Sequence, residues 1–377
     1  YLLYSSSKKN YFFKLILRIA RSNLEKCVNK LIMNDGSFSQ YSTNYHRLVI
    51  DTLIQVENWR INFQQKEFSS SYYLSITKAI FWLKEFIDKE SGMAPNLGAN
   101  DGAYCFQNDS LEFRDFRPTL QLAIKTFIKK GKIKNKEIEA VLKRSFFKKT
   151  NSIKFFHNKK IIYFQKGGFF LLKPNLKNWA MFRVPNYIFR PSQCDQFHFD
   201  FWYKGLNILR DAGSYSYNTS QENNNYFSGC KGHNSIQFEN EEPMEKISNF
   251  LWANWLQSEN IIVSNKKNNV FISASYKFKY GLHKRSIKLD FVNNIWLIED
   301  FVENKVKFVT LRWRLYPVNW SIKGKELKSD LINMKIMSND DNAKINLTSG
   351  WESLYYNDKE NIPVCELKSF KKNVLFK

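Results

Sequence analysis

The sequence is poor in acid. It carries 35 aspartates and glutamates against 58 lysines and arginines, a formal charge of +23. Such a surplus can draw polyanions toward a groove, nucleic acid or acidic polysaccharide alike, and it can equally serve solubility, so charge alone chooses no partner. Cysteine is scarce: five residues, at positions 27, 105, 194, 230 and 365, with no CxxC pair. An odd and scattered set argues against a disulfide framework and a structural zinc knot, and reads as buried or half-buried thiols. No window reaches the roughly 20 apolar residues of a membrane span. The opening YLLYSSSKKNYFFKLILRIARSNL lacks the basic start, apolar block and small-residue cleavage site of a secretory signal. Collagen, coiled-coil, solenoid and Walker-type patterns are missing as well, and so are zinc-finger and RNA-module signatures, which ranks nucleic acid low among partners.

What is present is aromatic. Phenylalanine, tryptophan and tyrosine make up 16% of the 377 residues, hydrophobic residues 43%, and the mean hydropathy is −0.47, enough for sizeable cores under a polar surface. Residues 1 to about 125 read as helical. KKNYFFKLILRIARSNLEKCVNKLI has helical apolar spacing and is broken by the NDG at 34–36; YHRLVIDTLIQVENWRINFQ predicts a helix from near Tyr45. SSYYLSITKAIFWLKEFIDKE predicts another, opened by a serine cap, and RPTLQLAIKTFIKKGKI a further one with Pro118 in its first turn. Between them, SGMAPNLGANDGAY is a structured loop. Beyond a lysine-rich stretch the pattern changes to short β-branched and aromatic runs separated by turn residues, as in NWAMFRVP, FHFDFWYKGLNILRDAG and RSIKLDFVNNIWLIEDFV, which fits a large antiparallel sandwich. The expected organisation is a helical domain over 1–135 and a β domain over 136–377.

Several clusters carry chemistry. In YSTNYHRL, Asn44, Tyr45 and His46 sit at a helix start, where a phenol can reach a ligand and an amide can donate to a carboxylate; the alternative is a surface cap. Asn96 and Asn100, in the glycine-bearing loop, can face a sugar or brace their own turn. Arg114 and Arg117 of EFRDFRP can bind a carboxylate or sulfate, or pair with Glu112 and Asp115. In PSQCDQFHFD, strand parity puts Asp195 and His198 on opposite faces, and His198 with Asp200 on the same one. Asp211, His233 and one further ligand can hold zinc, although nothing in their spacing demands it. His157 lies in a polar lysine-rich tract. His283 and Arg285 of YGLHKRS can offer charge to an acidic ligand or end a strand on the surface.

In order along the chain, NDGSFSQYSTNYHRL, PNLGANDGAY, FRDFRP, DQFHFDFWYKGLNILRDAGSYSYN, GHNSIQF and GLHKRS resemble the heparinase II/III-like family, particularly members found with bacterial extracellular-polysaccharide genes. The likeness spans about residues 30 to 300. It implies an α+β multidomain fold, an incomplete helical (α/α) toroid followed by an antiparallel β supersandwich. It also implies a carbon–oxygen lyase that cleaves uronate-containing acidic polysaccharide by β-elimination, as alginate-lyase-like enzymes do. By resemblance, Tyr45 matches the catalytic tyrosine, Asp211 the acidic residue of a D-x-G-x-Y motif, and His233 the histidine of an HNT-type motif, here HNS; the last two often contribute to a metal site, so zinc is a possible cofactor. His198 is a second catalytic candidate, and Asn44, His46, Asn100, Arg114, Arg117 and Arg285 are candidates for orienting substrate.

Two departures from the family pattern stand out. Many active members carry H-x-H-x-D, and its histidine positions are held here by Pro191 and Gln193, its aspartate by Asp195. Glutamine is a poorer zinc ligand than imidazole. No Asn-His-type pair precedes the DG…YH segment in residues 1–33. A noncatalytic glycan-binding or polysaccharide-assembly protein is therefore the alternative. A shortened toroid would leave an apolar face exposed. The first residue is Tyr1, so the numbering can begin inside a longer protein, and location stays open between the periplasm and the cytoplasm of a bacterium.

Overall fold

The computed structural model describes residues 11–106, 112–128, 160–175 and 177–377. Contacts divide the chain into two compact units, Tyr1–Ala94 with Ala103–Asn158, and Pro95–Gly102 with Lys159–Lys377. The expected boundary between 135 and 136 and His157 both lie outside the described residues. The segment Pro95–Gly102, in the structured loop expected between two helices, groups with the β unit.

The first unit is helical. Helix α1 (Tyr11–Leu31) runs up to the NDG break, and α2 (Thr43–Asn62) starts at Ser42, whose Oγ accepts the Tyr45 N–H at 3.0 Å. Helix α3 (Ser70–Phe86) starts at Ser69, whose Oγ accepts the Tyr72 N–H at 3.4 Å. Both serines satisfy an N–H that a helix start leaves orphaned, a contribution of about 1 kcal/mol each. Helix α4 (Arg117–Ala123) has Pro118 in its first turn and continues as a π-turn over Ile124–Ile128. Tyr72, Ile76, Ile80 and Leu83 recur every three or four residues along α3 and are buried, which is why this segment is a core helix. Helix α1 differs: Val28 is its one buried residue, and Tyr11, Phe12 and Ile19 are 77%, 62% and 51% exposed.

The second unit is antiparallel throughout its described strands. Strands β1 (Ile161–Phe164), β2 (Phe169–Leu172), β3 (Asn178–Arg183), β4 (Phe199–Tyr203) and β5 (Leu206–Leu209) form one five-stranded sheet in sequence order. Helix α5 (Gln221–Ser228) and a 3-10 turn, Cys230–Gly232, lead to β6 (Ile236–Phe238). A two-stranded ribbon follows, β7 (Glu245–Ser248) with β8 (Leu251–Ala253). Next come β9 (Glu259–Asn265), β10 (Asn269–Phe278), β11 (Gly281–Asp290), β12 (Ile295–Asn304) and β13 (Val309–Arg314). A small hairpin sheet holds β14 (Ser321–Lys323), β15 (Glu326–Lys328) and β16 (Asn333–Lys335), and the chain ends in β17 (Lys344–Glu352), β18 (Glu360–Ser369) and β19 (Asn373–Phe376). The larger sheets are ordered β19-β12-β11-β10-β9 and β17-β18-β13-β6.

Alternation explains the long strands. In β11, His283, Arg285, Ile287 and Leu289 are buried, while Lys284 and Lys288 are exposed. The turn between β4 and β5 is Lys204-Gly205, both at positive φ (47° and 76°), the geometry a tight two-residue hairpin requires. The fold class is the one expected: a helical portion of an incomplete (α/α) toroid, then an antiparallel β supersandwich. Among the described residues, no helix is long and apolar enough to cross a membrane.

Candidate functional site

In the helical unit, the first turn of α2 sorts its three polar residues by direction. Asn44 is 2% exposed, and neither its Nδ2 nor its Oδ1 has a partner among the described residues. A buried amide with all its capacity unused is costly unless a ligand completes it. Tyr45 is half-buried. His46 points into the core: its Nε2 lies 2.9 Å from the Ala79 carbonyl oxygen, and its ring stacks on Trp82 at 4.2 Å. Burial pushes its pKa down to about 4, so the ring is neutral. The substrate-binding role expected of His46 gives way to packing, because the ring is fully enclosed.

Arg47, which sequence reasoning passed over, is a fully buried cation near the start of this helix. Its guanidinium lies 4.3–4.6 Å from the ring centroids of Tyr104, Phe113 and Phe116 and donates to the Phe113 carbonyl. Burial lowers its pKa to about 10 and lifts Asp51 to about 6, while Thr119 donates to the Asp51 carboxylate at 2.8 Å. The two phenylalanines within FRDFRP were the available signal. Arg114 is buried and donates to the Ala94 carbonyl at 3.1 Å. Arg117 grips Asp115 through Nε and Nη2, at 2.9 and 2.6 Å, the internal pairing that was its alternative.

In the sheet unit, His198, Asp211 and His233 come together. One donor atom from each lies within 4.8 Å of the others, and all three are fully buried. His233 Nδ1 is 2.8 Å from Asp211 Oδ2, and His198 Nε2 is 3.7 Å from that same oxygen and 3.5 Å from Asp200 Oδ2. The backbone N–H of Asn234 donates to His198 Nδ1 at 3.0 Å, which leaves the ring's proton on Nε2, facing the two carboxylates. Burial works to raise Asp211, but attraction to His233 and their hydrogen bond outweigh it and hold the carboxyl below its ordinary range. The same pair acts on His233: burial lowers it, and Asp211 more than offsets that. Burial raises Asp200. His233 Nε2 has no partner among the described residues.

Asn234, the middle residue of HNS, ties this cluster together, a role that no local pattern signals. Its side chain donates to the Phe199 carbonyl at 2.8 Å and accepts the Arg314 N–H at 2.6 Å. Its carbonyl accepts from Arg285 Nη1 at 2.7 Å. Arg285 lies deep in β11, bound to Asp300 through Nε (2.7 Å) and Nη2 (2.9 Å) and to the Phe197 carbonyl (2.6 Å). Its expected meeting with an acidic ligand is corrected to a core role: it is unexposed and its donors are engaged within the fold. His283 shares Asp300 at 2.6 Å and is buried too, so this segment does not end a strand on the surface.

The PSQCDQFHFD stretch also differs from expectation. Strand β4 begins only at Phe199, and Phe197 has φ 54°, so the parity argument holds for His198 and Asp200 but not for residues 193–197. Asp195 is held by Arg183 at 3.1 Å and by the Tyr187 hydroxyl. Gln193 ties two loops and a helix together: its Oε1 accepts the Gly98 N–H at 2.9 Å, and its Nε2 donates to the Gly213 carbonyl at 3.1 Å and, more weakly, to that of Phe227 in α5 at 3.4 Å. Asn96 donates to the Ser353 carbonyl at 2.7 Å, and Asn100 accepts the Gly102 N–H at 2.9 Å, bracing its own turn.

Among solved structures, the chain is similar to a heparinase III gene product (19% identity, TM-score 0.73, covering 94% of this chain and 53% of that one). It is also similar to the heparan sulfate lyase HepC from Pedobacter heparinus (18%, 0.69, 94% and 54%) and to another heparinase III structure (12%, 0.71, 94% and 56%). At these identities the likeness is one of fold, and the chain spans about half the length of each. No curated protein matches it. The heparinase II/III-like, C-terminal family pattern matches residues 157–365, more than half of the chain and the whole stretch from β1 into β18. The chain belongs to the heparinase II/III-like family.

Proposed function

We propose that this chain is part of a polysaccharide lyase that cleaves a uronate-containing acidic polysaccharide by β-elimination. The observation that carries the reading is Asn44, a buried amide with no partner among the described residues, beside the half-buried phenol of Tyr45 at one helix start. The amide donates to the uronate carboxylate and draws off its charge, which acidifies the C5 proton. Tyr45 takes that proton, the C5–H electron pair becomes the C4–C5 double bond, and the C4–O bond breaks. The departing oxygen receives a proton, also from Tyr45 in a syn geometry. Arg114 is assigned to orienting the sugar chain, and Arg117 joins it on release from Asp115. His198 is assigned to the buried Asp211–His233 cluster rather than to proton transfer, because its Nδ1 accepts from backbone and its Nε2 faces carboxylates.

That cluster fits a divalent metal. Two imidazoles and a carboxylate are a zinc-type donor set, and His233 Nε2 is buried with no partner among the described residues. Asp211 and His233 would hold the ion, joined by His198 once its Nδ1 is released from the Asn234 N–H and its Nε2 proton is lost, and the ion would supply a fixed positive charge that cross-links the strand end to the HNS loop. Metal analysis of wild type and His233→Ala checks it: wild type carries the ion and the variant loses it, and equal absence from both ends the assignment.

The lyase reading is tested on a panel of uronate polysaccharides by the ultraviolet absorbance of the unsaturated product. Wild type raises it, while Tyr45→Phe and Asn44→Ala lower the rate by about 100-fold or more. Full activity in Tyr45→Phe would sink the proton-transfer role. The second reading, a noncatalytic acidic-glycan-binding protein, is favoured by Gln193, whose amide is spent on three backbone groups where active relatives are expected to carry histidine. Glycan retention with no absorbance rise across the panel decides for it.

A further inference from the structure

The sheet unit holds a second group of metal-ligating side chains. Cys194, Cys230 and Glu242 each place one donor atom within 4.8 Å of the other two. No spacing in the sequence announces them. Cys194 precedes β4, Cys230 opens the 3-10 turn before His233, and Glu242 follows β6, so the fold alone assembles the trio. Each is fixed by backbone: the Cys194 N–H donates to the Ser228 carbonyl at 2.7 Å, and the Cys230 N–H donates to Glu242 Oε2 at 2.8 Å. Room for the carboxylate depends on Gly229, where a Cβ would come 2.5 Å from Glu242 Oε1. Both thiols are buried.

Gln196, itself fully buried, spans the two sulfurs. Its Oε1 accepts from Cys194 Sγ and its Nε2 donates to Cys230 Sγ, each at 3.2 Å. A side-chain N–H held on a cysteine sulfur is the bond that a metal-bound thiolate accepts, and partners of this kind orient ligands. Burial raises Cys194 and Glu242, and the Cys194 contact together with burial raises Cys230, so without a cation the two thiols keep their protons. Tetrahedral zinc with sulfur bonds of about 2.3 Å sets its donors ~3.8 Å apart, which the existing spacing admits.

We propose that Cys194, Cys230 and Glu242 form a binding site for a thiophilic divalent cation of the zinc class, with the Gln196 Nε2–H positioning the Cys230 sulfur. On binding, two S–H bonds give way to two S–metal bonds and the carboxylate adds its oxygen. The displaced protons go to solvent, and nothing is oxidised or reduced. The ion staples the approach to β4 to the turn that carries His233. Thiolate ligation separates this site from the His198–Asp211–His233 cluster, which contains no sulfur.

Cobalt(II) titration of the reduced, metal-stripped chain is the test. Wild type should develop a near-ultraviolet sulfur-to-cobalt charge-transfer band that zinc abolishes by displacement. His233→Ala and Cys365→Ser should keep the band, Cys194→Ser with Cys230→Ser should lose it, and Gln196→Ala should weaken cobalt binding by about 10- to 100-fold. Absence of the band from wild type overturns the proposal whether or not any variant folds. So does a band that survives in the folded double-serine protein, or a Cys194–Cys230 disulfide in the protein as purified, read by mass as two thiols that resist alkylation.

Discussion

At the scale of single residues, burial converts ordinary side chains into pH-dependent ones. His46 titrates near 6.5 in the unfolded chain and about 4 in the fold, so the unfolded state binds more protons between those values. Stability from this residue is complete above pH 6.5 and is lost as pH falls toward 4, by about 3 kcal/mol in all. Asp51 opposes it: burial raises its carboxyl to about 6, so the fold holds the extra proton and loses stability as pH rises from about 4 to 6. Urea unfolding of wild type and His46→Gln separates the two, since both proteins keep Asp51. The stability difference between them should shrink by about 3 kcal/mol from pH 7 to pH 4; a difference that stays constant refutes the assignment. Asp300 answers to another rule. Burial favours its neutral form, yet Arg285 and His283 outweigh that and hold it near 2. Asp300→Asn leaves the Arg285 guanidinium buried without its charge partner and should cost about 3–5 kcal/mol in thermal unfolding. A loss below ~1 kcal/mol would mean that the network contributes little.

At the scale of elements, α1 stands apart because it buries one side chain and exposes an apolar stripe. Phe12→Glu with Ile19→Lys should therefore leave the free energy of urea unfolding within ~0.5 kcal/mol of wild type while reducing concentration-dependent association in sedimentation velocity. A collapsed midpoint would show that the stripe is packed in solution. The serine-capped start of α3 and the helical-then-β order were legible in advance, because caps and periodicity are local. Strand β11 was legible as a strand but not as a core strand: alternation puts His283 and Arg285 on one face, and only the pairing of Arg285 with Asp300 on β12 shows that face to be inward. PSQCDQFHFD was half legible. Its parity worked from His198 onward and failed before it, where Phe197 enters the left-handed region. Asp211 with His233 was placed correctly as a pair, whereas the Asn234 hub and the Cys194–Cys230–Glu242 group depend on how distant loops meet, which no spacing encodes.

At the scale of the whole molecule, the charge of +23 is the property a polyanion meets first. Were it simply summed, any lysine or arginine would count alike. Screening at physiological salt limits each exposed charge to about 8 Å, so clustered cations should dominate. One such cluster lines a groove of about 640 Å³ in the helical unit, where Lys14, Arg18, Arg21, Lys26 and Lys66 face a single acidic residue, Glu25. Lys323, Lys325 and Lys335 on the β14–β16 hairpin sheet are exposed as well but lie outside that groove. Retention on an immobilised acidic polysaccharide should fall with salt, and its log–log slope should report how many anionic groups the protein neutralises. Lys14→Glu, Arg18→Glu and Lys26→Glu together should flatten that slope by on the order of 0.7 for each anionic group no longer neutralised, the scale known for single-stranded polyanions. The matching triple change at 323, 325 and 335 removes the same charge and should move the slope far less. Equal effects would show that the net charge acts as a whole and that the groove has no special part in binding.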